Sequence, residues 1–148
     1  MKKSKPHAAK KDRIVLDTNV LVSGLLNPDG SPADVLKFIL EEKVILLLNA
    51  EIFAEYREVL KRPKFAFDPF LSELLLDTLY QMAEIVTATP LNIKIPDKSD
   101  LKFLETAIAG HARALVTGNK IHFPEKQNKF KFSILSPKEF IASQLLIL

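Results

Sequence analysis

The chain has 148 residues, 47% of them hydrophobic and 26% charged, which fits a single soluble domain large enough to bury a core. It has no cysteine, which excludes disulfides, thiolate metal sites and cysteine nucleophiles and makes an intracellular, cytoplasmic location the expectation. The net charge of +3 belongs to the N-terminus, where residues 1–13 carry six basic side chains against Asp12. The remainder is slightly acidic, so charge permits a nucleic-acid partner without demanding one.

Residues 1–12 read as a basic disordered tail, and no apolar segment follows to make it a secretory signal. The folded part is expected over residues 13–148 as one domain. Ile14–Leu16 is a short apolar run that reads as a first strand. Pro32 to Glu41 reads as a helix, with Ser31 as N-cap and Pro32 in the first turn. Val44–Leu48 is a second strand. Ala50 to Lys61 is a helix stopped by Pro63, and Pro69 to Ala83 is a leucine-rich helix. Ile85-Val86 is a short third strand, and Ser99 to His111 a helix. Ala114–Val116 and Phe132–Leu135 are the fourth and fifth strands, and Pro137 to Leu146 closes the chain as a helix. Apolar strands separated by helices imply an α/β fold with a parallel sheet covered on both faces. No run is long enough to cross a bilayer, so no membrane partner is expected.

Three acids stand beside apolar segments. Asp17 follows the first strand, where ligands bind in open parallel sheets, although an Asp there also suits the cap of a following helix. Asp100 shares a helical face with Phe103, Leu104, Ala107, Ile108 and His111, at spacings of three, four, seven, eight and eleven. It also fits a first-turn Asp satisfying helix amides. Glu55 borders the stripe of Ile52, Tyr56, Val59 and Leu60, where pairing with Arg57 or a lysine is the simpler role. Charge next to a core is costly unless paired or coordinating a metal, so three such acids suggest a shared cation. A cation held by carboxylates suggests phosphate chemistry. Asn119 and Thr117 follow the fourth strand and would face Asp17 if strands one and four are neighbours. Asn119 can ligate a hard cation through its amide oxygen, or simply form a turn. The segment Lys120 to Lys131 is lysine-rich, with Phe123 and Phe130 interleaved. Its Lys120, Lys126 and Lys129 are candidate nucleic-acid contacts, against the reading of a solvated loop with anchoring aromatics.

The histidines are scattered, Ser23 and Thr18 have no histidine base, and no glycine-rich phosphate loop occurs. A haloacid-dehalogenase-type phosphatase also starts from an Asp after strand one. It needs a second Asp two residues on, where this chain has Asn19.

Four motifs occur in order. They are Val15-Leu16-Asp17-Thr18-Asn19-Val20-Leu21-Val22-Ser23; Glu55-Tyr56-Arg57-Glu58-Val59-Leu60 with Arg62-Pro63-Lys64-Phe65; Asp97-Lys98-Ser99-Asp100 before Phe103-Leu104; and Leu115-Val116-Thr117-Gly118-Asn119. On these motifs residues 13–140 resemble the PIN domain (PilT N-terminus-like) family, most closely its VapC-like toxin components of toxin–antitoxin pairs. The resemblance implies a three-layer α/β/α, Rossmann-like fold with a parallel five-stranded sheet, and a single PIN domain over 13–148. It implies an endoribonuclease acting on single-stranded or structured RNA with Mg2+ or Mn2+, an antitoxin protein as partner, and a homodimer. By position, Asp17, Glu55 and Asp100 would be the catalytic and metal-binding acids, Asn119 a further metal ligand, and Asn19 and Thr117 supporting polar groups. Either Glu55 or Asp100 could orient the attacking water. The family often has a fourth acid where this chain has Asn119, which should weaken a second metal more than the first. The alternative is a catalytically degenerate PIN domain that binds RNA or protein. The apolar C-terminal residues Phe140, Leu145, Leu146, Ile147 and Leu148 would need cover from the same chain or a partner.

Overall fold

A computed structural model describes residues 10–123 and 130–146 of the chain. Strand β1 (Asp12–Leu16) ends in Ile14, Val15 and Leu16, all fully buried. Successive strand side chains point to opposite faces, so burial of all three means that helices cover both sides of the sheet. Strands β2 (Val44–Leu48), β3 (Glu84–Ile85), β4 (Ala114–Val116) and β5 (Ser133–Leu135) complete it. The order is β3-β2-β1-β4-β5, parallel throughout, with Ile14 opposite Leu46 and Leu16 opposite Val116. The chain runs outward from β1 to β3 and then returns to place β4 beside β1. The strand order therefore reverses between β1 and β4, and parallel sheets open their ligand crevice at such a point.

The helices are α1 (Thr18–Leu26), α2 (Ser31–Leu40), α3 (Ala50–Leu60), α4 (Pro69–Met82), α5 (Leu101–Ala109) and α6 (Pro137–Leu145). Their cap chemistry is legible. Asn49 accepts the Ile52 amide at the start of α3, Asp68 accepts the amides of Phe70 and Leu71 in α4, and Ser136 with Glu139 forms a capping box on α6. The core joins the β1, β2 and β4 side chains to Ile52 and Tyr56 of α3, Leu76 and Leu79 of α4, Phe103 and Leu104 of α5 and Phe140 of α6.

Several boundaries differ from the sequence reading. Helix α1 was not foreseen: it buries Thr18, Val20, Leu21, Val22 and Gly24, and so shows no clear polar face to give it a helical period. A Cβ on Gly24 would lie 2.7 Å from Leu36 Cδ1, so the glycine allows α1 its close approach to α2. The cap of α2 is Gly30 and Ser31 is the first helical residue. The third strand begins at Glu84 rather than Ile85, and Val86 lies beyond it. The expected helix from Ser99 to His111 is shorter. A 3-10 turn, Lys98–Asp100, precedes α5, and His111 follows it in a left-handed conformation with φ of 54°. The apolar face consequently ends at Ala107, and Ile108 and His111 are exposed. At the C-terminus Phe140 is buried, whereas Leu145 and Leu146 are exposed; Ile147 and Leu148 lie outside the described residues. Among the described residues no helix is long and apolar enough to cross a membrane.

Candidate active site

Asp17 stands at the end of β1, where its amide donates to the Val116 carbonyl of β4 at 2.9 Å. It precedes α1 in the N-cap position but makes no cap hydrogen bond with its side chain. The carboxylate instead turns across the β1–β4 seam, and Oδ2 accepts the Thr117 hydroxyl at 2.7 Å. Thr117 Oγ1 in turn accepts the Asn119 amide at 3.0 Å, so the hydroxyl hydrogen is committed to Asp17. Only 7% of Asp17 is exposed. Burial raises its pKa, and the Glu55 charge pushes the same way. The Thr117 hydroxyl and the nearby amides of Asn19 and Thr18 act against the rise.

Glu55 comes from α3, and its neighbour Tyr56 fixes where. Tyr56 is fully buried, and its hydroxyl donates to the Leu16 carbonyl at 2.6 Å. That bond ties α3 to the last residue of β1 and brings Glu55 to the Asp17 side of the sheet. Burial, with the charges of Asp17 and Glu55 behind it, holds the phenol pKa well above its ordinary value, so Tyr56 is a neutral donor. Both Glu55 oxygens are engaged. Oε2 accepts the Thr18 hydroxyl, and Oε1 meets Lys102 Nζ of α5 at 2.7 Å. Of the two expected kinds of partner, Arg57 binds Glu73 at 3.0 Å instead, and the pairing is made with a lysine.

Asp100 closes the 3-10 turn before α5 and lies 3.6 Å from His122 Nδ1. Burial is the main reason its pKa rises to about 6, with the negative charges of Asp17 and Asp97 adding to it and His122 and Lys102 opposing. A carboxyl raised in the folded state favours folding below its unfolded pKa of 3.8, and that contribution is lost as pH climbs through about 6. Replacing Asp100 by Asn removes the term. In EDTA, Asp100→Asn should gain stability relative to wild type between pH 4 and pH 7. Urea unfolding at the two pH values measures this, and an unchanged difference would show that Asp100 is not desolvated.

Asn19 lies in α1, and its buried side-chain oxygen has no hydrogen-bond partner. An orphaned buried acceptor costs about 1–3 kcal/mol, so this oxygen is suited to a donor or cation. Asn119 is exposed, and its backbone supports the buried Asp17–Thr117 pair. Lys120 bonds Glu139 at 3.0 Å, while Lys126 and Lys129 lie outside the described residues.

The fold thus brings Asp17, Glu55, Asp100, Thr117 and Asn19 to one end of the sheet, each from a different element or turn. Among the described residues, however, no three His, Cys, Asp or Glu side chains form a group that could hold a metal ion as they stand. The donor chemistry nevertheless suits a hard cation. Asp17 and Asp100 are carboxylates whose charges act on each other, and Asn19 offers a free amide oxygen. Mg2+ sites commonly use one or two carboxylates and retain several waters. Two residues of the site were not singled out from sequence. Lys102 falls off the apolar face of its helix, and the lysine expected beside Glu55 was not identified with it. Tyr56 reads as core, although a tyrosine inside an apolar stripe needs a partner for its hydroxyl, and that was the available signal.

The family model described as PIN domain matches residues 13–121. An uncharacterized protein of Methanocaldococcus jannaschii is 29% identical over 143 residues, covering 88% of this chain and 90% of its own length. Among solved structures, the crystal structure of VapBC2 from Rickettsia felis bound to a DNA fragment from its promoter contains a chain of the same fold. The TM-score is 0.54 at 20% identity, covering 84% of this chain and 98% of that one.

Proposed function

The chain belongs to the PIN domain family, and on that premise we propose that it is a metal-dependent endoribonuclease, the toxin of a toxin–antitoxin pair. The observation that carries this reading is the buried Asp17 carboxylate at the β1–β4 reversal, whose charge acts with those of Glu55 and Asp100, and the unpartnered Asn19 oxygen two residues on. Asp17, Asp100 and Asn119 would hold Mg2+ or Mn2+, with the Asn19 oxygen in support and Glu55 joining on release from its present partners. The bound cation would supply a water of lowered pKa and stabilise charge on the phosphate oxygens. Thr117 keeps Asp17 aimed along the seam, and Tyr56 keeps α3 in register with it. Glu55 or Asp100 would orient the attacking water. The Rickettsia felis neighbour was solved as VapBC2, which supports an antitoxin protein as partner. A cytoplasmic homodimer is part of the same proposal. Lys120, Lys126 and Lys129 are the proposed contacts to the RNA backbone.

The second reading, a PIN domain that binds RNA or protein without cleaving, is favoured by Asn119 in place of a fourth acid and by the ion pair on Glu55. Incubation of antitoxin-free protein with labelled single-stranded RNA separates the two. Cleavage with Mg2+ or Mn2+ that stops in EDTA is the expected result. Intact RNA with every metal, from folded protein, would favour the binding module.

A further inference from the structure

Lys102 is the least exposed basic side chain among the ion pairs formed between described residues, at 10% against 28% for its partner Glu55. Its Nζ lies 2.7 Å from Glu55 Oε1, donates to the Ser99 carbonyl, and sits 5.2 Å from the centre of the Phe103 ring. Three structural units therefore enclose the ammonium: α3 through Glu55, the Lys98–Asp100 turn through Ser99, and α5 itself. With Thr18 on Oε2, each Glu55 oxygen already has one partner. Each oxygen has more than one lone-pair direction, but an ammonium in contact at Oε1 repels a second cation there. Burying several acids together is costly unless a positive charge compensates them, and Lys102 provides one from within the chain.

From this arrangement we infer that Lys102 is a resident counter-ion of the site, and that its ammonium and a divalent cation are alternative partners of Glu55. Metal binding exchanges Lys102 off the carboxylate. The four-carbon stem and rotatable ammonium let it withdraw while keeping the Ser99 carbonyl as a partner. Lys102 is a positioning residue in this scheme: it sets which state Glu55 is in and does not touch the RNA. The inference rests on the proposed metal-dependent function and adds how the acids are held before metal arrives.

Two measurements on the full chain test it. Acetylation of individual lysines, read by mass spectrometry, should be slow at Lys102 in EDTA and several-fold faster in Mg2+. Lys102→Met should bind Mn2+ about tenfold more tightly than wild type, the scale of an ordinary linkage between two sites. Mn2+ bound by both proteins with equal affinity, and Lys102 labelling unaffected by metal, would overturn the exchange while leaving the nuclease reading intact. No Mn2+ bound by either protein would overturn the nuclease reading and the exchange with it. The labelling arm uses wild type, so it decides the matter even if Lys102→Met fails to fold.

Discussion

Asp17→Asn should lose metal-dependent RNA cleavage by roughly 10²-fold or more, the scale of losing several kcal/mol of transition-state stabilisation from a misplaced cation. It should fold as well as wild type, or better, without metal. The asymmetry follows from the geometry. Asn keeps an oxygen that can accept the Thr117 hydroxyl, now at 2.7 Å from Asp17 Oδ2, so the β1–β4 seam remains closed. What disappears is a buried negative charge that burial and Glu55 both disfavour. Function and stability therefore pull in opposite directions at this position, as expected where a site holds like charges for a ligand. Cleavage assays in Mg2+, beside thermal melts in EDTA, measure both halves. An Asp17→Asn enzyme that cuts RNA at the wild-type rate would remove Asp17 from the chemistry.

The largest stability effect is expected at Phe103. It is fully buried in the core, one residue after Lys102 and three after Asp100. Truncating such a ring to Ala loses its transfer energy and leaves a cavity, at about 3–5 kcal/mol. For a chain of this size that lowers Tm by roughly 10 °C. Ile108→Ala on the same helix is the control. Its side chain is 39% exposed, so it should cost about 1 kcal/mol or less. Phe103 also anchors the first turn of α5, so the surviving folded Phe103→Ala protein should cleave RNA more slowly. Urea unfolding of the two variants gives the comparison, and near-equal losses would mean that α5 is not held by Phe103.

Strong periodic segments were legible in the chain because their burial is one-sided or complete. Val44–Leu48 and Ala114–Val116 were read to the residue, and the helix from Ala50 needed only its last residue trimmed. Helix α1 was missed because it is buried around most of its circumference, which erases the contrast that periodicity needs. The end of α5 was misplaced because the chain leaves the helix at Gly110 and turns left-handed at His111, a backbone event with no hydrophobic signature.

The sequence by itself determined the parallel α/β architecture through its apolar strands alternating with helices, and the family through its ordered motifs; it also offered a short set of candidate acids, because carboxylates beside apolar runs are costly and so conspicuous. Only the tertiary structure decided what those acids touch. Strand β4 had to return beside β1 before Thr117 could take Asp17, across 100 positions of chain. Tyr56 had to cross to Leu16 before Glu55 acquired its place. Lys102 met Glu55 only where α5 packs beside α3. Periodicity reports which face of an element is dry, whereas partners across elements depend on packing, and charge pairing at a buried site is decided there.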